Sequence, residues 1–358
     1  MDVTGFRAAL LAWYDQEARD LPWRVRPSGR AAGETPNPYA VWLSEVMLQQ
    51  TTISHAAPYW RAFLQRWPTV ESLAEAEDAE VMSAWAGLGY YARARNLLAC
   101  ARVVSGAHGG AFPLSYDGLR GLPGVGDYTA AAVAAIAFDQ AATVVDGNVE
   151  RVVARVFAVE TPLPRAKPEL KARAVELTAT DRPGDWAQAM MDLGAVVCRP
   201  KTPACPRCPV AEFCAARSSG SPEAYPRRPA KTVRPQRFGV AYRYMRGEDL
   251  ALVRRPETGL LGGMLALPTS AWRAEPWTWD EAIAAAPSPG EWREVGQVEH
   301  VFTHFRLSLS VLHAEAEPGG DAVWSARVDD LPTVFRKAAV LGAASRSPGR
   351  VARLPGAE

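Results

Sequence analysis

Cysteine is scarce in this chain. Five in 358 residues are too few for a disulfide framework. Neither charge sign is in excess: 40 Lys+Arg stand against 39 Asp+Glu, a formal net of +1. That excludes a basic nucleic-acid coat, an acidic tail protein and a membrane-surface binder acting by bulk charge. Long apolar runs are missing as well. The most apolar stretch, 130–142, is interrupted by Asp139 and Gln140 and is shorter than the ~18 residues a bilayer span needs. The opening MDVTGFR has no basic region followed by an apolar one, so no secretory signal is read and a reducing, cytoplasmic location is expected. No internal repeat is found. What is present is ordinary for a globular protein: 48% hydrophobic and 22% charged residues, with 12 Trp. The length predicts two to three domains at roughly 100–200 residues each.

Periodicity divides the chain. Residues 1–214 read as helical, with Thr4 as a first cap and Phe6, Leu10, Trp13 and Tyr14 at helical spacing. A second helix is expected over Tyr39–Ser54, and further ones at about 57–66, 78–86, 90–105, 127–138, 146–158, 168–180 and 184–197. Pro22–Pro38 reads as a loop. Residues 215–236 are rich in Pro, Ser and Arg and read as a linker. Beyond it, Phe238–Arg246, Leu250–Arg254 and His300–His313 read as strands of an α+β domain over 237–358.

Cys100 stands alone; the other four cysteines crowd one loop as Cys198-x6-Cys205-x2-Cys208-x5-Cys214. Four thiolates on so short a segment lose little chain entropy on closing round a metal centre. Structural zinc and a four-iron cluster are both open on spacing alone, the latter fitting better on ligand type and count.

Leu122-Pro-Gly-Val-Gly126 lies between two helical segments. Gly124 and Gly126 permit a tight turn whose amides can hold a phosphate, although a plain helix–helix turn would read the same. Asp146-Gly-Asn-Val149 opens another helix with Asp146 as cap. Glu45 sits within Val41-Trp-Leu-Ser-Glu-Val-Met-Leu48. A carboxyl among apolar neighbours has a raised pKa, which suits a general acid, unless the position faces solvent. Two acids in different environments can divide acid and charge-stabilising roles.

The cysteine loop, the Leu-Pro-Gly-Val-Gly hairpin and Val145-Asp-Gly-Asn-Val149 together resemble the helix-hairpin-helix DNA glycosylase superfamily of the endonuclease III type. Tyr39-Ala-Val-Trp-Leu-Ser-Glu-Val-Met-Leu-Gln-Gln-Thr51 narrows the resemblance to its adenine-specific family, closely over about 5–214 and loosely beyond. The resemblance implies an all-α helix-hairpin-helix core over 1–214, the hairpin at about 115–137, and an iron–sulfur loop at 198–214. A basic linker at 215–236 and a MutT/Nudix-like domain at 237–358 complete the organisation. It further implies a [4Fe-4S] cluster on Cys198, Cys205, Cys208 and Cys214. Glu45 becomes the acid that protonates adenine N7, and Asp146 the stabiliser of an oxocarbenium-like sugar. Asn148 and Tyr128 support this pair. Trp23, Arg24, Leu48 and Gln188 are expected round the extruded adenine, Gln49 and Gln50 within the helix, and Tyr90 beside 8-oxoguanine. The partner implied is double-stranded DNA carrying adenine opposite 8-oxoguanine or guanine. A monomer with no membrane association is expected.

Two departures matter. Endonuclease III-like lyases carry a lysine shortly after the hairpin, and here Tyr128 stands there. A phenol forms no Schiff base, so a monofunctional glycosylase is expected. The C-terminal loop Phe302-Thr303-His304 has Thr where the family has Ser. No acidic Nudix box follows Gly262-Gly263, so that domain is read as binding rather than hydrolysing. Val25–Asn37 is longer than usual and reads as a solvated loop, with DNA contact the alternative. The competing functions are a bifunctional glycosylase/lyase, a metal-stabilised DNA-binding protein without chemistry, and nucleotide hydrolysis. Near-neutral charge does not oppose DNA: residues 199–237 hold nine basic residues against Glu212 and Glu223, a local +7 that leaves −6 elsewhere.

Overall fold

A computed structural model describes residues 1–229, 234–256, 260–302, 304–318, 322–329, 331–341 and 351–352. It divides into two units, Met1–Ala230 and Lys231–Glu358.

The first unit is helical, with two cores. One is gathered from Pro38–Met47, Ile53–Arg66, Ala92–His108 and Asp127–Phe138. The other takes Val3–Glu17, Gly147–Val156, Lys167–Leu177 and Pro183–Asp192. Local chemistry starts the helices. Asp2 accepts from Gly5 N (3.0 Å), and Asn37 accepts from Tyr39 N (2.9 Å) with Pro38 in the first turn. Asp127–Phe138 is buried on every side from Thr129 to Ile136, as an alanine-rich helix without a polar face must be. Gly184 lies against it so closely that an added Cβ would stand 2.7 Å from the Ala135 carbonyl.

The helix expected over Tyr39–Ser54 stops at Met47 and a new one starts at Ile53, with Thr52 as its cap. Gln50 between them has φ 60°, which no α-helix accommodates. The Val25–Asn37 stretch is docked rather than merely solvated. It carries the short helix Pro27–Ala31, whose Arg30 donates to the Ile136 carbonyl and pairs with Asp139 (3.2 Å) and Asp185 (3.4 Å). The supposed linker folds into the first unit as far as Pro229. Ala216 and Tyr225 are buried there, Tyr225 Oη donates to Glu160, and Leu163 N donates to the Arg227 carbonyl (2.9 Å). A buried aromatic anchor overrides linker-like composition.

The second unit is built on a sheet. Among the described residues its strands run Leu265–Ala266, Asp249–Arg254, Gln236–Arg246, Arg306–Ala314, Trp292–Val301, Val351–Ala352, with Val323–Ser325 also on Asp249–Arg254. Gln236–Arg246 pairs in parallel with Arg306–Ala314; the other pairings are antiparallel. The expected strand His300–His313 is thus two strands that turn at Phe302–Phe305, closed by Phe302 N donating to the Phe305 carbonyl (2.9 Å). Helix Thr333–Val340 packs on one face of the sheet, in a core with Leu307, Leu309 and Val311; Tyr242, Tyr244 and Trp292 lie in another core. No helix among the described residues is long and apolar enough to cross a membrane.

Candidate active site

Glu45 enters from the helix Pro38–Met47, and its side chain is taken out of water: the residue is 6% exposed. Burial pushes its carboxyl up to about 7. The hydrogen bond from Tyr128 opposes this, the Asp146 charge adds to it and Arg24 opposes it. Tyr128 comes from the second residue of the helix after the hairpin, and its Oη donates to Glu45 Oε2 at 2.7 Å. Burial, then the Glu45 and Asp146 charges, hold the phenol far above its ordinary range, so it stays a donor. Met191 Sδ lies 3.5 Å from the same oxygen.

Asp146 comes from the other core, as N-cap of Gly147–Val156. Oδ1 accepts from Asn148 N (2.9 Å) and Val149 N (2.7 Å), and Oδ2 from Asn148 Nδ2 (2.8 Å). Donors on both oxygens at a helix N-terminus fix the carboxylate in place. The site therefore holds a desolvated acid that can carry a proton and a carboxylate that does not move. Asn148 is held in turn. Arg151 donates to Asn148 Oδ1 (2.8 Å), to the Gly194 carbonyl (2.7 Å) and to the Cys198 carbonyl (2.8 Å), joining the cysteine loop to Asp146. Gly194 lies in the π-helical turn Leu193–Val197, where an added Cβ would meet Asn148 Cβ at 2.6 Å.

The expected adenine pocket is assembled unevenly. Trp23 packs edge-on against Trp60 (5.7 Å), and half-buried Leu48 ends the Glu45 helix. Gln188 is buried and donates to the Gly184 carbonyl (3.1 Å). Arg24 is committed elsewhere: its guanidinium makes a bidentate pair with fully buried Asp192 (2.6 and 3.0 Å), which Arg19 also holds. Arg24 thus acts on Glu45 through charge, with both Nη atoms engaged and its buried Nε left without a partner. Sequence reasoning missed Arg151, Met191, Asp192 and Gly194. The available signal was Arg151 and Arg155 four residues apart in a valine-rich helix.

The expected DNA-facing residues cluster near the hairpin. Gln49 Nε2 donates to Thr129 Oγ1 (3.3 Å), Gln50 is exposed, and Tyr90 is 65% exposed with φ 50°. Gly124 has φ 71° and packs on Asn96, and Gly126 is the N-cap of Asp127–Phe138, with open space where a Cβ would stand. In the second unit Phe302 stacks on Trp272 (5.7 Å, 28°) and meets His300 edge-on (4.5 Å). His304 is exposed; Thr303 lies outside the described residues.

All four loop cysteines line one small cavity with Arg155. Burial pushes the Cys208 thiol up to about 12. Among the described residues no group of three or more Cys, His, Asp or Glu is gathered as a ready metal site. Arg155, 1% exposed, donates to Cys198 Sγ (3.2 Å) and to the carbonyls of Arg199 (2.8 Å) and Pro200 (3.0 Å), with no carboxylate among the described residues paired to it. A buried cation without a counter-ion fits an anionic group at that cavity.

Residues 43–177 match the HhH-GPD superfamily of base excision DNA repair proteins, and residues 239–339 match the NUDIX domain. The chain is 38% identical to an adenine DNA glycosylase of Homo sapiens, across 87% of this chain and 67% of that one. It is also 38% identical to one of Mycolicibacterium smegmatis, across 76% and 88%. A thermostable thymine-DNA glycosylase superposes with a TM-score of 0.54 at 29% identity, over 61% of this chain and 97% of that one. Endonuclease III bound to DNA, at 22% identity and a TM-score of 0.50, shares the fold of this helical unit. The chain belongs to the adenine DNA glycosylases, enzymes of base excision repair.

Proposed function

We propose that this enzyme hydrolyses the N-glycosidic bond of adenine mispaired with 8-oxoguanine or guanine, and that it acts as a monofunctional glycosylase. The single observation that carries this reading is the buried Glu45 carboxyl, hydrogen-bonded by Tyr128 and within electrostatic reach of the capped Asp146 carboxylate. The reacting atoms are out of reach inside a duplex, so adenine is flipped out at a cost of a few kcal/mol. Tyr128 holds Oε2, which leaves Oε1 of Glu45 to carry the proton to adenine N7. The C1′–N9 bond then breaks, its electron pair leaving with the protonated base, and Asp146 stabilises the positive sugar until water adds and gives its proton to the Glu45 carboxylate. No lysine stands at Tyr128 to capture the sugar. Trp23, Leu48 and Gln188 frame the base, Gln49 and Gln50 fill the vacated stack, and Tyr90 meets the opposite base. The hairpin amides around Gly124 and Gly126 hold phosphate.

Cys198, Cys205, Cys208 and Cys214 would hold one [4Fe-4S] cluster, with Arg155 balancing its charge. When bound, the cluster supplies an anionic cross-link that orders the loop behind Arg151. The turn Phe302–His304 reads 8-oxoguanine, with Trp272 stacked behind Phe302. The enzyme works as a monomer on double-stranded DNA.

The test is single-turnover excision on duplexes with adenine, cytosine or thymine opposite 8-oxoguanine and opposite guanine. Excision confined to adenine, fastest opposite 8-oxoguanine, is expected. Efficient covalent trapping on DNA by borohydride would overturn the monofunctional reading, and thymine excision would overturn the substrate.

A further inference from the structure

Two residues assigned above to the DNA share an uncommon backbone. Gln50 (φ 60°) and Tyr90 (φ 50°) both occupy the left-handed region. A residue with a Cβ stays there only when its surroundings impose it. Gln50 follows the helix that carries Glu45. Tyr90 precedes the helix Ala92–His108.

One guanidinium joins the two turns. Arg93 directs Nη1 at the carbonyls of Val46 (3.1 Å), Met47 (3.2 Å) and Gln49 (2.6 Å). It directs Nη2 at those of Leu88 (2.9 Å) and Gly89 (3.3 Å). The first set lies at and just beyond the end of the Glu45 helix, where carbonyls run short of intrahelical donors, although that of Val46 also accepts from Gln49 N (3.4 Å). The second set immediately precedes Tyr90, whose own carbonyl accepts from Arg93 N (2.8 Å), and the guanidinium lies over the Trp85 and Tyr90 rings (5.3 and 5.7 Å). No carboxylate among the described residues pairs with Arg93. Capping one helix explains the first set and leaves the second unexplained. A planar fork with two separate nitrogens can serve both sets at once.

We infer that Arg93 is a positioning residue that makes the Gln49–Gln50 turn and Tyr90 one rigid reader. Filling the gap left by the extruded adenine and testing the opposite base then occur together. This rests on the proposed placement of Gln50 and Tyr90 against DNA.

The experiment is a double-mutant cycle of Gln50→Ala and Tyr90→Ser, run in the full-length enzyme and again with Arg93→Lys. Single-turnover excision is measured opposite 8-oxoguanine and opposite guanine. With Arg93 present, the combined loss is expected to fall short of the product of the single losses by about fivefold or more. With Arg93→Lys, whose one ammonium cannot span both carbonyl sets, the losses multiply. A second readout does not depend on excision. In a Glu45→Gln enzyme with 2-aminopurine at the target base, Arg93→Lys lowers the fluorescence gain opposite 8-oxoguanine to the level seen opposite guanine. Should Arg93→Lys fail to fold, Arg93→Gln is carried through the same cycle. Coupling that survives loss of the guanidinium overturns the inference and leaves Arg93 a helix cap, as do losses that multiply in both backgrounds. Gln50→Ala and Tyr90→Ser without effect on either duplex overturn the placement of those residues, and the inference with it.

Discussion

Tyr128 Oη donates to Glu45 Oε2 across 2.7 Å, so the residue standing where a lyase would keep its amine serves the acid instead. The bond opposes the burial that pushes the Glu45 carboxyl up to about 7. Tyr128→Phe removes the donor and keeps the ring. The Glu45 pKa then rises further, and the alkaline limb of the single-turnover pH–rate profile moves to higher pH. The maximal rate falls by about one order of magnitude, the worth of one hydrogen bond to an ionisable group. An unmoved limb would show that Tyr128 packs against the acid without tuning it.

Glu45→Gln is expected to keep DNA binding and to lose excision by roughly 10²- to 10⁴-fold, the usual contribution of a positioned acid. The same change should stabilise the protein at alkaline pH. Glu45 titrates near its ordinary value of 4.5 when unfolded and at about 7 when folded. Between those values the folded state holds the extra proton, so stability falls as pH rises through that window. Above pH 7 the buried charge costs on the order of 3 kcal/mol, which the neutral amide avoids. Thermal melts of both proteins at pH 5 and pH 8 check this. The variant's advantage should be larger at pH 8, and an advantage independent of pH would place Glu45 in water.

Much of this site was legible in the residues. Asp146 followed by Gly and Asn at a helix start is a cap on any reading, and the structure keeps it so. Glu45 was harder, because the helix 38–47 is apolar nearly all round and no periodicity tells an inward carboxyl from an outward one. The break at Gln50 was hidden. Arg93, from another helix, meets the carbonyls of Val46, Met47 and Gln49 there, a long-range contact with no local signal. Arg24 was legible only in part: an arginine beside Trp23 suits a base pocket on residue type, but nothing local shows that Asp192, distant in sequence, takes both of its Nη atoms. Tertiary partners of long side chains leave no local pattern, and it is those partners that position the acids.

Gly194 tests the support behind Asn148. Gly194→Ala places a Cβ 2.6 Å from Asn148 Cβ and 3.0 Å from its carbonyl oxygen, so Asn148 must shift. Asp146 Oδ2 then loses its side-chain donor. The expected result is a folded protein with single-turnover excision reduced about 10- to 100-fold and DNA affinity within a factor of a few, the pattern of a lost orienting contact. Weakened DNA binding with an unchanged rate would assign the π-turn to DNA contact instead.

Arg155 decides what the cysteine loop is for. It is 1% exposed, and its partners among the described residues are carbonyls and Cys198 Sγ, with no carboxylate among them. A buried cation in that position is costly unless an anion neutralises it. Four thiolates holding a [4Fe-4S] cluster would provide one; four protonated thiols would not. Arg155→Met keeps most of the volume and removes the charge. The purified variant should retain several-fold less iron than the parent and lose the visible charge-transfer absorption in proportion, while Arg155→Lys keeps an intermediate amount. Iron content and absorption read the loop directly, whatever happens to excision. Parent protein carrying zinc and no iron would overturn the cluster, and full iron content in Arg155→Met would show that the charge is balanced by something other than the loop.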